Sequence, residues 1–208
     1  MKIAVVSEYT ADEAALKILV DSVLGIKSDL VSPRKWRPGG WSHVLALLPT
    51  IVKDLHYSSD ADGLVIVIDS DESPPHAKPH EILEDPSCRL CQLRSVVTKE
   101  LSALRTVPAR STLKVALGLA VPQIEAWYLC GIDPHVTEAE WARRLKGERL
   151  TYNKQSLKRA VYSSDRMPIS AKTELATKAA QRLTANLEEL EQRFPNGFGP
   201  LLRDLRNW

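Results

Sequence analysis

Asp69 and Asp71 stand two positions apart at the end of the apolar run 63–68. On extended backbone that spacing puts both side chains on one side. Two carboxylates so placed repel each other unless a cation lies between them. Glu8 stands just past a second short apolar run, residues 2–6, and supplies a third hard oxygen donor. Carboxylates of this kind suit Mg²⁺ or Mn²⁺ rather than zinc. If the two runs are neighbouring strands, Glu8, Asp69 and Asp71 converge on one rim and could hold one or two ions.

The elements that must position these acids follow from periodicity. Residues 63–68 are β-branched, continuous and opened by Gly63, as in a strand buried on both faces of a parallel sheet. In open α/β sheets, ligands bind at the carboxyl ends of such strands. After residues 2–6, Thr10 is a helix N-cap candidate, and Ala15, Leu16, Leu19 and Val23 keep helical spacing behind it. Residues 31–41 are broken by Pro and Gly and read as a loop; 43–55 read as a helix. Residues 73–86 read as irregular, and 90–104 as an amphipathic helix. Residues 114–121 are another strand, which delivers Glu125 to the same rim. The alternation predicts an α/β fold with a mostly parallel sheet flanked by helices. It predicts one domain, 1–208, with an α/β core over 1–123 and an appended helical lobe over 124–208.

Each candidate has a plainer alternative. Asp69 and Asp71 can be solvated acids that open a loop. Asp12, a candidate for a second metal position, lies in a first helical turn, where the macrodipole alone favours acids; Glu13 reads as solvent-facing. Glu125 is either a site acid or the buried partner of a base. Arg143, Arg144, Lys146, Arg149, Lys154, Lys158 and Arg159 crowd a stretch whose only acid is Glu148. That excess is a solvated surface or a phosphate-binding patch. Arg34, Lys35 and Arg37, interleaved with Trp36 and Trp41, are a second such patch, because aromatics among cations stack on exposed bases. Lys154 or Lys158 is the candidate cation for a phosphoryl transition state.

A chain of 208 residues with 44% hydrophobic content can bury a full core. Its net charge of +2 is too small for the whole-molecule field to indicate nucleic acid. No apolar run reaches the roughly 18 residues of a membrane span, and no leader opens the chain, so the expected compartment is the cytoplasm. Cys88 and Cys91 have zinc-like spacing, with His76 and His80 upstream. A second Cys-x-x-Cys is absent, and reduced cysteines at a helix start are the expectation. No Gly-rich phosphate loop is present, which argues against nucleotide hydrolysis.

The stretch Val5 to Leu16 (with Glu8, then Asp12-Glu13) and the later Asp69-Ser70-Asp71 resemble the strand-end Glu and Asp-x-Asp of Toprim domains, including those of overcoming-lysogenization-defect (OLD) nucleases. Val121 to Cys130, with Ile124-Glu125-Ala126-Trp127, is similar to a segment of small stand-alone bacterial Toprim-like proteins. In those, a Lys-bearing helix follows, here matched by Asn153 to Lys158, and a closing aromatic-leucine helix, here matched by Phe198, Leu201 and Leu202. Many Toprim domains carry Gly after the first Glu; here it is Tyr9, whose side chain limits the approach of a phosphate.

The resemblance implies a Rossmann-like Toprim fold and an Mg²⁺- or Mn²⁺-dependent nuclease acting on nucleic acid, DNA first. In it Glu8, Asp69 and Asp71 hold metal with Asp12 and Glu125 completing the set, and Lys154 is the transition-state cation. It also implies anti-phage defence beside an ATPase partner. A homo-oligomer is compatible with the sequence. Two alternatives stay open: a non-catalytic nucleic-acid-binding subunit, and a haloacid-dehalogenase-type phosphatase with Asp69 as nucleophile and Asp71 as acid/base.

Overall fold

Three short apolar segments pair edge to edge because their side chains are apolar on both faces, a two-residue strand joins their edge, and the amphipathic segments between them cover those faces. The computed structural model describes residues 1–34, 39–108, 110–164 and 166–208. Strands β1 (Lys2–Val6), β2 (Asp29–Leu30), β3 (Gly63–Asp69) and β4 (Lys114–Ala120) form one sheet in the order β2-β1-β3-β4. Every pairing is parallel, with Val6 opposite Ile66 and Asp69 opposite Ala120. From β1 the chain passes outward to β2 and then returns to β3 on the other side. The carboxyl ends of β1 and β3 therefore flank a topological switch point, where a crevice opens.

Helix α1 (Thr10–Leu24) covers one face together with α7 (Ile169–Leu183) and α9 (Phe198–Arg206). Ile3, Val5, Val65, Val67, Ala116 and Ala120 are buried there. Helices α2 (Trp41–Ser58) and α3 (Arg89–Ala103) cover the other face, over Ala4, Val6, Leu64, Ile66, Ile68 and Leu119. Trp141 of α5 (Glu138–Leu145) completes that second core. The remaining helices are α4 (Ile124–Tyr128), α6 (Lys154–Tyr162) and α8 (Leu187–Arg193). Residues beyond 124 thus share a core with the sheet. They also close its edge: the Leu117 N–H donates to Asp204 Oδ2 at 3.0 Å, and the Leu119 N–H to the Gly197 carbonyl at 3.2 Å. Outward N–H groups of β4 that would otherwise invite a foreign strand are thereby satisfied.

The structure differs from the sequence reading at several places. The sheet is parallel throughout, not mostly so. The two-residue β2 is too short to show periodicity. Helix α2 starts two residues earlier than predicted, at Trp41. Tyr9, not Thr10, occupies the N-cap of α1, without a side-chain cap hydrogen bond; Thr10 is the first helical residue. Among the described residues, no helix is long and apolar enough to cross a membrane.

Candidate active site

The acids meet at the β1/β3 switch point. Glu8 follows β1 and turns over the end of β3, where its Oε1 accepts the Asp69 N–H at 3.1 Å. Its Oε2 accepts the N–H of Trp41, at the start of α2, at 3.1 Å. One carboxylate thus ties three elements together and is fixed in orientation. Asp69 Oδ1 accepts the Ile124 N–H at 3.0 Å, which joins β3 to the first turn of α4. Asp71 has a left-handed backbone, φ +50°, and donates its N–H to the Pro122 carbonyl at 2.9 Å. That conformation is costly for a non-glycine residue and turns the chain sharply after the strand.

Cations close the other side. Lys154 Nζ, in the first turn of α6, lies 2.9 Å from Asp71 Oδ1. Helix α6 is positioned by a capping box: the Asn153 side chain accepts the Ser156 N–H, and the Ser156 side chain accepts the Asn153 N–H. Arg89 Nη1 lies 2.9 Å from Asp71 Oδ2, 2.6 Å from the Asp69 carbonyl and 3.7 Å from Glu8 Oε1. Its guanidinium sits over the Trp41 ring, 5.3 Å from the centroid. Lys158, one turn further along α6, stands over the Tyr9 ring at 5.2 Å. Glu8, Tyr9, Asp69, Asp71, Gln123, Lys154 and Lys158 line an open cleft of about 350 Å³.

Asp12 and Glu125 lie beside this cleft, lining a second pocket of about 280 Å³ that shares Tyr9 and Lys158 with it. Both are buried. Asp12 faces inward and accepts the Tyr128 hydroxyl at 2.9 Å, so its place is not explained by the macrodipole alone.

Burial and mutual repulsion dominate the electrostatics. Burial raises the Glu8 carboxyl above its usual range, against the Asp69 N–H and Arg89. Burial, then the Glu125 charge, pushes Asp12 up to about 7. Asp69 is pushed well above its ordinary value by burial and by Glu125, Glu8, Asp12 and Asp71. Burial raises Glu125 despite Lys158. Asp71 goes the other way: partial burial acts upward, but hydrogen bonds from Lys154 and Arg89 hold it below the usual range. Burial acts to lower Lys158, yet the Glu125 carboxylate leaves it raised. Four acids are thus disfavoured as anions, which is the condition a cation relieves.

The structure brings together Glu8, Asp12, Asp69, Asp71, Glu125, Lys154 and Lys158. Arg143 and Arg144 do not line that cleft, although Arg144 shares Glu72 with Lys154, whose Nζ lies 4.0 Å from that carboxylate. Arg143 pairs with Glu140 at 2.8 Å and Glu148 at 2.6 Å; Arg144 pairs with Glu72 at 2.7 Å and covers the Trp141 ring. Ion pairs thus engage both arginines, Arg143 with neighbours in sequence and Arg144 across the fold. Arg34 is exposed, and its N–H donates to Asp54. Lys35, Trp36 and Arg37 lie outside the described residues. Sequence reasoning missed Arg89, Gln123 and Tyr128. For Arg89 there was a signal: a cation in the first turn of a helix opposes the macrodipole and needs another reason to be there.

Fold and site together define an α/β protein with a parallel four-stranded sheet and a cluster of carboxylates and cations at its switch point. The chain matches no protein-family model, no curated protein and no solved structure in the comparisons made.

Proposed function

We propose that this chain is a Toprim-like hydrolase of nucleic-acid phosphodiesters that works with Mg²⁺ or Mn²⁺. The observation that carries the reading is the Glu8–Asp69 contact. It places acids from two adjacent strand ends on one cleft rim, opposite Lys154 and Lys158. The donor set fits a hard divalent ion, because it is made of carboxylate oxygens whose ionisation is disfavoured without one. Glu8, Asp69 and Asp71 would hold the ion, with Asp12 and Glu125 as the reserve of charge for a second.

Such an ion, when bound, would polarise the phosphate and favour deprotonation of the attacking water. Glu8, pinned by two backbone N–H groups, keeps its carboxylate aimed at the rim. Lys154 and Arg89 supply fixed positive charge for the phosphoryl oxygens as their charge grows. Asp12 is poised to hold or release a proton near neutral pH. Lys158 and the exposed Tyr9 form the mouth, where the Tyr9 ring offers a face to an unstacked base. Partnership with an ATPase, and a role in anti-phage defence, rest on the family resemblance alone.

A second reading has an observation of its own. Both Asp71 oxygens are already engaged by cations, an arrangement suited to a subunit that binds nucleic acid without cutting it. The test is incubation of supercoiled plasmid and single-stranded DNA with Mg²⁺, Mn²⁺ or EDTA, with Asp69→Ala in parallel. Metal-dependent nicking that disappears in the variant is the expected result. Binding without cleavage by the wild type favours the second reading. Trapping of an aspartyl-phosphate by a fluoride mimic would instead favour the phosphatase alternative.

A further inference from the structure

We propose that His76, His80, Cys88 and Cys91 form a closed, structural zinc site that is separate from the carboxylate cleft. The four ligand atoms all lie within 4.8 Å of one another. His76 Nδ1 is 3.6 Å from both Cys88 Sγ and Cys91 Sγ. In a tetrahedral site with ordinary Zn–S and Zn–N bond lengths, the S···N edge is about 3.5 Å. The observed spacing matches that of thiolate and imidazole around a common centre.

The remote ring nitrogens support the assignment independently. His76 Nε2 lies 3.0 Å from Glu81 Oε1, and His80 Nε2 lies 3.5 Å from Asp85 Oδ2. A carboxylate near Nε2 is the usual outer support of a metal-bound histidine, with Nδ1 left for the metal; His76 Nε2 also lies 3.3 Å from Arg94 Nη1. His80 Nδ1 is buried and has no hydrogen-bond partner. An inward lone pair without a donor is costly in a finished core and expected of a ligand. Cys88, Cys91 and His76 are themselves buried.

Thiolate and imidazole select zinc over the hard ions proposed for the cleft, and four protein ligands leave no open position, so the role is structural. On binding, both thiols lose their protons to solvent and the imidazoles bind neutral. Between β3 and α3 the described chain holds only a single 3₁₀ turn, Lys78–Glu81, with Ile82 and Leu83 exposed. A zinc ion would staple this weakly packed segment to the start of α3. The residue after Cys88 is Arg89, so the same staple would set the guanidinium that joins Asp69 and Asp71. The sequence reading preferred two reduced cysteines and gave no weight to His76 and His80, which stand in His-x₃-His spacing upstream of Cys88. His80 lies in the 3₁₀ turn and His76 just before it, and the fold brings both to the cysteines.

The test uses the whole chain, purified under reducing conditions from zinc-supplemented medium and then treated with Co²⁺ after chelation. The expected result is one equivalent of zinc per chain, and a tetrahedral cobalt spectrum with thiolate charge-transfer bands. Cys91→Ser and His80→Gln should each lose stoichiometric zinc, whereas Cys130→Ser should keep it. Should the variants not fold, alkylation of the wild type decides: zinc should protect Cys88 and Cys91 and leave Cys130 unchanged. Substoichiometric zinc, a cobalt spectrum without thiolate bands, or equal alkylation with and without zinc would overturn the proposal. Magnesium should compete for none of it.

Discussion

Glu8 Oε1 receives the backbone N–H of Asp69 at 3.1 Å, which joins the acid after one strand to the acid at the end of its parallel neighbour. Because Oε2 of the same carboxylate receives the Trp41 N–H, Glu8 is both a site acid and the local tie between β1, β3 and α2.

Glu8→Gln separates those roles. Both donors need an acceptor, and an amide offers only one oxygen, so one N–H would face an NH₂ group. The expected cost is about 1–3 kcal/mol. Calorimetry should show Tm falling by several degrees, beyond any loss of metal-dependent activity. An unchanged Tm would show that the tie carries no weight.

Asp12 makes stability depend on pH. Its folded value of about 7 lies above the ordinary 3.8, so its contribution is fully present below about pH 4 and is lost as pH rises through 7. Asp12→Asn keeps an acceptor for Tyr128 and removes the charge. In EDTA, the variant should be more stable than wild type at pH 8, by on the order of a few kcal/mol or less, and the gap should close as pH falls to about 4. Equal melting at both pH values would refute it.

Lys154→Ala should lower kcat about 10²-fold and KM little, because fixed charge at a developing oxyanion acts in the transition state. The Asp71 carboxyl should titrate higher in the variant, having lost one of the two hydrogen bonds that hold it down. Steady-state cleavage and NMR titration read these separately. A rise in KM alone would make Lys154 a binding residue.

Gly197 lies so close to β4 that an added Cβ would fall 2.1 Å from the Leu119 carbonyl oxygen. Backbone on backbone cannot yield cheaply, so Gly197→Ala should destabilise by about 2 kcal/mol or more. Denaturant titration should show a lower midpoint. Gly25→Ala offers a contrast: no atom lies within 4 Å of its added Cβ, and its cost would come only from φ +66°.

The helices and strands that carry the site were legible because their signals are local. Residues 63–68 read as a buried strand from their short, β-branched apolar run, whereas the helix over Asn153 to Lys158 was expected from the family resemblance and its capping box appeared only in the structure. Glu8, Asp69 and Asp71 were likewise legible, because strand ends are where a parallel sheet presents polar groups. What the chain alone left open depended on pairing. That β1 and β3 are neighbours, so that Glu8 meets Asp69, follows from the strand order and not from either segment. Arg89 enters the cleft only because α3 begins beneath it. Arg143 and Arg144 look like free cations until tertiary contacts with Glu72 and local pairs with Glu140 and Glu148 engage them. The spacings of His76 with His80 and of Cys88 with Cys91 can be read from the chain, but that the four side chains converge is decided by the fold between them. Sequence specifies elements through propensity and burial that act over a few residues; the convergence of side chains distant in the chain is decided by how those elements pack.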